Sequence, residues 1–219
     1  MESIRGKHAA GGDAATLARQ SAGYAQILID LGTGDGRFVR HIAATTPGTF
    51  AIGIDLCAAN LRAAARRAPA NAAYLVAGAY ALPPALHGLA THLTVNFPWG
   101  DLLTGLLAPD ARLPAVLAAL ARPGARLDVR LNAGALTEAG WTLPAAGTAV
   151  AAGLRRAGFA VEPPRLLAAG DLRACPTTWA HRLAFGRDPR ALYLRGTYTR
   201  YAPPAQPTGA PAPRTEPPK

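Results

Sequence analysis

The chain is poor in the residues on which several common chemistries depend. Its two cysteines, Cys57 and Cys175, stand far apart and form no C-x-x-C pair, which argues against a zinc site or a disulfide framework. Its only serines, Ser3 and Ser21, precede the core, so a serine-hydrolase triad has no nucleophile in place. The five histidines (His8, His41, His87, His92, His181) are scattered, and each reads as a surface or core residue rather than a ligand; no metal is expected. No apolar run approaches the length of a membrane span, and the first residues lack the charged, apolar and small-residue layout of a signal peptide, so a soluble cytoplasmic protein is expected. Lysine is nearly missing as well: Lys7 and Lys219 are the only two. Abundant alanine beside arginine fits the codon bias of a GC-rich genome, which explains arginine over lysine. It does not explain a formal charge of +10 on 219 residues, which suggests a polyanionic partner.

What is present centres on residues 27–37. The apolar run 27–31 reads as a buried strand carrying Asp30, and Gly32 ends it. Gly32, Gly34 and Gly36 around Thr33 permit a tight turn with positive φ, where no Cβ blocks a ligand. Phe38, Val39, Ile42 and Ala43 then recur at helical spacing. Strand, glycine loop and helix form the mononucleotide-binding start of an open α/β sheet. Gly36 is followed by Arg37 and Phe38, so the loop lacks the Gly-Lys-Ser/Thr ending of a phosphate-binding P-loop. Its G-x-G-x-G spacing also differs from the dinucleotide fingerprint, and an acid beside a neutral turn suits a cationic ligand better than a pyrophosphate. Residues 49–54 form the next strand and end in Asp55, where a carboxylate can take both ribose hydroxyls.

This pattern resembles the S-adenosylmethionine site of class I methyltransferases. The resemblance implies a Rossmann-like α/β fold with a seven-stranded, mostly parallel sheet and helices on both faces. Asp30 and the loop Gly32, Thr33, Gly34 and Gly36 would face the methionine part; Asp55 would hold the ribose, with Leu56 beside it. The bland alternative is a nucleotide-fold domain with no retained chemistry.

Along the chain, residues 1–12 are basic (Arg5, Lys7, His8) and read as a hairpin, an arm or a frayed terminus. A helix is expected over 14–24, and the domain itself over 13–200. Helix 57–68 places Leu61, Ala64, Ala65 and Ala68 on one face and Arg62, Arg66 and Arg67 on the other, either a phosphate-contacting face or a solvated one. Strand 72–77 leads to a loop where many methyltransferases keep an acid for the adenine amino group; here Ala79 and Tyr80 would serve through backbone groups. Strand 91–95 runs into Asn96, Phe97, Pro98, Trp99 and Gly100, at the sheet's reversal point beside the glycine loop. Proline stiffens that turn, and Trp99 either offers a stacking surface or caps the core. Helices 102–107 and 113–121 and strand 126–131 follow. The connection 132–143, with Trp141 and Glu138, is long enough for a lid or an RNA-facing insertion, unless Trp141 packs under it. Helix 145–157 and strand 159–161 come next. In 170–200, Arg173, Arg182, Arg187, Arg190, Arg195 and Arg200 stand near Trp179, a combination suited to backbone contact with base stacking. Strand 191–199 closes the sheet, and 201–219 is a Pro-rich, disordered tail.

With Phe-Pro-Trp-Gly at 97–100 and Thr-x-Trp-Ala-x-Arg-Leu-Ala-Phe-Gly at 177–186 in hand, the chain resembles the Kam-type aminoglycoside-resistance 16S rRNA methyltransferases. The resemblance covers most of 24–200. It implies methylation of N1 of adenine 1408, in helix 44 of the 30S subunit, with S-adenosylmethionine as methyl donor. It further implies that Trp99 and Trp179 sandwich the flipped adenine, that Thr177 orients Trp179 or its loop, and that Arg187 and Arg190 grip phosphate. Arg62, Arg66, Arg67 and Arg182 would contact rRNA, and the protein would act as a monomer. Asp188 and Pro189 intrude where the family has further basic residues. Competing readings are a tRNA guanine-N7 or adenine-N6 methyltransferase, and a non-catalytic RNA-binding protein of the same fold.

Overall fold

The described residues are 2–5, 8–10, 14–186 and 188–199 of a computed structural model. Lys7, Arg187 and the Pro-rich segment 201–219 lie outside them. The chain opens with β1 (Glu2–Arg5), β2 (His8–Ala10) and α1 (Ala14–Ser21). The expected strand and helix around the glycine loop are β3 (Gln26–Leu31) and α2 (Arg37–Thr45). β3 is buried throughout after Gln26. α2 is amphipathic: Phe38, Val39 and Ala43 are buried while Arg37 and His41 face solvent.

Then follow β4 (Thr49–Asp55), α3 (Ala58–Ala65), β5 (Ala72–Val76), two 3-10 turns, and β6 (Ala90–Asn96). α4 (Gly100–Leu107) and α5 (Arg112–Leu120) lead to β7 (Ala121–Asn132). α6 (Ala133–Glu138), α7 (Leu143–Arg156), β8 (Phe159–Val161) and β9 (Arg165–Leu166) precede α8 (Ala169–Ala174), α9 (Thr178–Ala184) and β10 (Ala191–Tyr198).

All ten strands join one sheet in the order β2-β1-β5-β4-β3-β6-β7-β10-β8, with β9 beside β10. From β5 to β7 every pairing is parallel, and β10 and β8 add on antiparallel, which is the mostly parallel seven-stranded sheet expected. The β1–β2 hairpin pairs antiparallel with β5 and extends the far edge. Strand order reverses between β3 and β6, so the ends of both strands open onto one crevice.

One sheet face packs on α1, α4, α5 and α7 through a large apolar core that includes Leu93, Val95, Leu127, Val129, Leu106, Leu117 and Val150. The other face is covered by α2 and α3 only over β3, β4 and β5, through Leu28, Val39, Leu61, Ala64 and Tyr74. Each fully buried aliphatic side chain here stabilises the fold by about 1.5–3 kcal/mol relative to exposure. A third, small cluster (Phe97, Leu172, Cys175, Ala180, Ala191) roots α8 and α9 on the crevice.

Two expectations change. The connection 132–143 is no lid: Asn132 caps α6 by accepting from the Ala135 amide, Leu136 enters the core, and Trp141 packs against it. The helix expected over 57–68 ends at Ala65, so Arg66 and Arg67 lie just beyond its last turn.

Candidate active site

The glycine loop is held by main chain. The amides of Gly32 and Thr33 both donate to the Ile54 carbonyl (2.8 and 3.1 Å), tying the end of β3 to β4. Gly32, Gly34 and Gly36 have φ of 75°, 58° and 66°, the left-handed region the three glycines were expected to supply. At Gly36 the requirement is double, because an added Cβ would stand 2.6 Å from both Ala64 Cβ and Tyr74 Cε1. Burial pushes the Tyr74 phenol up to about 12, and it donates to the Gly36 carbonyl (3.1 Å). Asp55 accepts from the Gly34 amide on Oδ2 (2.8 Å) and from the Cys57 amide on Oδ1 (2.9 Å). Each oxygen keeps a lone pair for a further donor, as a ribose diol would require.

Asp30, 1% exposed, is the penultimate residue of β3. Its Oδ1 accepts from Thr94 Oγ1 (2.6 Å) and Asn96 Nδ2 (2.9 Å). Arg130 Nη1 donates to Asn96 Oδ1 (2.7 Å) and so fixes which end of the amide faces Asp30. Burial pushes the Asp30 carboxyl up from the ordinary range, against the pull of Thr94, Thr33, Asn96 and Arg130. A cation bound beside it would favour the carboxylate. Thr94 follows from strand alternation two residues before Asn96. Arg130, which the sequence analysis missed, sits opposite Asn96 on β7 and is found only once the strands are paired.

Asp30, Asp55, Asn96 and the turn from Gly32 to Asp35 line a cavity of about 510 Å³. Of the residues expected to bind the cofactor, Asp30, Gly32, Thr33, Gly34, Asp55, Leu56, Ala79, Asn96, Phe97 and Pro98 line it. Gly36 supports it from beneath. Tyr80 is not brought in: its ring lies under the Arg112 guanidinium (4.7 Å) and its hydroxyl reaches the Asp101 carbonyl (3.3 Å). Phe97 is the unusual member, a non-glycine residue at φ 53°, a conformation costing about 1–3 kcal/mol. Its ring is buried in the small cluster beneath α8 and α9, so the turn that presents Asn96 and Trp99 to the cavity also anchors the cap.

A buried carboxylate, a second one with free lone pairs, a glycine turn and an apolar lip at Leu56 and Ala79 suit a cationic nucleoside such as S-adenosylmethionine, and the volume is that of a cofactor site.

Across the mouth stands α9. Thr177 is its N-cap, accepting from the Ala180 amide (2.9 Å), and Thr178 Oγ1 donates to Asp35 Oδ2 (2.5 Å) on the glycine loop, 143 residues away in sequence. No local signal could have shown that link. It holds Trp179 against Trp99 with ring centroids 5.3 Å apart and planes at 33°. Both indoles line the cavity and are 37% and 38% exposed. Arg182, one turn on, lies over the Trp179 ring (5.3 Å) and also lines the cavity.

The other arginines separate. Arg62, Arg66 and Arg67 are exposed around α3. Arg190 is engaged by Asp188 in a fork (2.8 Å from both Nε and Nη2), which holds that carboxyl down to about 2. It borders a second cavity, about 730 Å³, with Trp141 and Leu166, away from the indoles. The acid that interrupts the basic run is thus the partner of Arg190.

Residues 2–198 match the family described as 16S rRNA (adenine(1408)-N(1))-methyltransferase. A relative of that name from Streptoalloteichus hindustanus is 33% identical over 181 residues, 75% of this chain and 83% of the relative. One from Escherichia coli is 31% identical, covering 74% and 82%. Among solved structures, the 16S rRNA methyltransferase KamB superposes with a TM-score of 0.80 at 29% identity, over 91% of this chain and all of that one. A variant of the enzyme from Catenulisporales acidiphilia, solved with the cosubstrate SAM, gives 0.79 at 26% identity, over 95% and 100%.

Proposed function

Because the chain belongs to the 16S rRNA (adenine(1408)-N(1))-methyltransferase family, we propose that it methylates N1 of adenine 1408 in helix 44 of the 30S subunit, using S-adenosylmethionine. The modification would protect the ribosome from aminoglycosides, and the enzyme would act as a monomer in the cytoplasm. The observation that carries this reading is the indole pair, Trp99 and Trp179, set over the mouth of a cavity whose floor holds Asp30 and Asp55.

The adenine N1 lone pair lies in the ring plane and needs no deprotonation, so the site needs no catalytic base. A new N–C bond forms as the S–C bond breaks, with the electron pair of that bond left on sulfur. S-adenosylmethionine would supply the activated methyl; Asp30 and the glycine loop would hold its methionine end, and Asp55 its ribose. The remaining task is to hold a flipped base in line at near-attack distance. Each indole face offers an extruded base about 1–3 kcal/mol of stacking. A base between them needs about 7 Å, twice a stacking rise of roughly 3.4 Å. The rings at 5.3 Å must therefore part to admit it, and the Thr178–Asp35 link governs how far α9 can move. The Asn96 side-chain amide is taken up by Asp30 and Arg130, so recognition of the adenine amino group falls to main-chain carbonyls of 96–98.

Reverse transcription across helix 44 of treated 30S subunits tests the proposal. A methyl on N1 blocks pairing and stops the transcriptase one nucleotide short of adenine 1408, and expression in a susceptible bacterium raises resistance to kanamycin and apramycin. Read-through on fully treated subunits, with cofactor bound, would overturn it.

A further inference from the structure

Beyond β3, the sheet face shared with α2 and α3 meets α8 and α9 at the strand ends beside the cavity, through Phe97 and Ala191, and carries polar side chains along the rest of the strands. Strand alternation sends Leu93, Val95, Leu127, Val129, Leu192 and Leu194 into the main core, so their neighbours emerge on the opposite side. Those neighbours are His92 on β6, Arg126, Asp128 and Arg130 on β7, and Tyr193 and Arg195 on β10, with Arg195 directly opposite Asp128. The side chains of Arg126 and Arg195 are 48% and 41% exposed, and that of His92 is 26% exposed.

The arginines are held rather than loose. Asp128, 1% exposed, accepts from the Tyr193 hydroxyl (2.5 Å), from Arg126 through Nε and Nη2 (3.1 and 2.6 Å), and from His92 Nε2 (2.8 Å). Burial alone would raise this carboxyl, but these donors hold it well below the usual range. Around the Tyr193 ring stand the guanidiniums of Arg165 (4.7 Å), Arg130 (5.2 Å) and Arg195 (5.6 Å), and Arg195 Nε also donates to the Tyr193 hydroxyl (2.9 Å). A buried Asp–Tyr pillar thus organises four guanidiniums around it. One of them, Arg165, is paired with Asp171 (2.9 Å). Arg130 turns to Asn96, while Arg126 and Arg195 share the single charge of Asp128 and stay partly exposed.

We propose that this β6–β7–β10 face docks the phosphate backbone of 16S rRNA outside the flipped nucleotide, as a surface separate from the indole site. The inference rests on the rRNA reading above and extends it. Charge complementarity argues for it, because fixed guanidinium forks match phosphate oxygens and lose little freedom on binding. The chain's own segment after Thr199 is a poor cover, since it carries Arg200, Arg214 and Lys219 against Glu216. Continuity argues for it too: Arg130 belongs to this face and also donates to Asn96 at the cavity.

The test uses the full chain and 30S subunits, with R126Q, R195Q and the double variant, none of which touches the cavity. Each single variant is expected to weaken 30S binding several-fold, and the pair about tenfold. The slope of log affinity against log salt should flatten by about 1.5–2 for the pair. S-adenosylmethionine affinity and methyl transfer at saturating 30S should match the unsubstituted protein, and R195K should recover part of the binding. A photo-crosslinker at Thr197, exposed and opposite Arg126, is expected to label rRNA. Unchanged 30S affinity and salt slope in folded variants would overturn the docking surface while leaving the methylation reading standing. Labelling of a ribosomal protein instead of rRNA would overturn it as well. If the unsubstituted protein gives no transcriptase stop at adenine 1408, the underlying reading fails, whatever the variants do.

Discussion

The glycine loop and the α8–α9 cap face each other across one cavity and are held by different means. The loop is fixed by main-chain amides donating to Ile54, by the Asp55 carboxylate, and by the Tyr74 hydroxyl under Gly36. The cap rests on a small apolar cluster around Phe97, a threonine N-cap and one hydroxyl reaching across to Asp35. A cofactor side built from backbone geometry tolerates almost no change in shape. An acceptor side built from a few side chains can move, as a site that must admit an extruded base requires. Damage to the loop should therefore abolish cofactor binding outright, whereas damage to the cap should spare the cofactor and reach only the rRNA step.

The largest effect is expected from Gly36→Ala. The left-handed backbone and the clash with Ala64 and Tyr74 together cost about 2–5 kcal/mol. Calorimetric affinity for S-adenosylmethionine should fall by about 30-fold or more, with a lowered Tm. Normal affinity would mean that the loop adapts, and the contrast with the cap would lose its basis.

Asp30 sharpens the same side through pH. Burial raises its carboxyl in the free protein, and a bound cation favours the carboxylate. Cofactor affinity should therefore be flat above that raised value and weaken as pH falls through it, by at most about tenfold per unit. Asp30→Asn should flatten the profile and weaken binding by about 10–100-fold, the range of a hydrogen bond to a charged group. A profile that stays steep in the variant would place the titrating group elsewhere.

On the cap side, Trp179→Ala removes one stacking face, worth about 1–3 kcal/mol, so methylation of 30S subunits should drop by about 5–150-fold. Cofactor affinity should stay within a fewfold. Equal losses in both measurements would show that the indole serves the cofactor rather than the base.

The same contrast explains what could be read without coordinates. The loop side was legible because its parts are contiguous: Asp30, three glycines and the helix after them lie within residues 30–45, and Asp55 ends the next strand. The mononucleotide-binding start of an α/β sheet followed from the same local patterns, and the parallel sheet with helices on both faces from the methyltransferase resemblance. The cap was legible only through resemblance, since Trp99 and Trp179 stand eighty residues apart and nothing local pairs them. Side-chain direction was the weakest point. Arg190 is occupied because Asp188 stands two residues before it, and Tyr80, expected to serve only through its backbone, does not line the cavity. The arginine face was hidden for a related reason: it needs β7 paired with β6 and β10, and that register is a tertiary fact.

The smallest expected effect tests the division between the two sides most closely. Thr177 lines the cavity, yet its hydroxyl is spent on the Ala180 amide at the start of a seven-residue helix. Thr177→Ala should cost about 0.5–2 kcal/mol of helix stability, loosening α9 without removing an indole. KM for 30S subunits should rise a fewfold while cofactor affinity holds within twofold, and Thr177→Ser should restore KM, because serine caps as well as threonine. The Thr178–Asp35 link is the route by which the expectation could fail. If loosening α9 through Thr177→Ala weakens cofactor binding as much as it weakens 30S binding, then Asp35 transmits the cap's position to the glycine loop. The two sides would then be one mechanical unit, and closure of the indoles over a base would tighten the grip on the methyl donor.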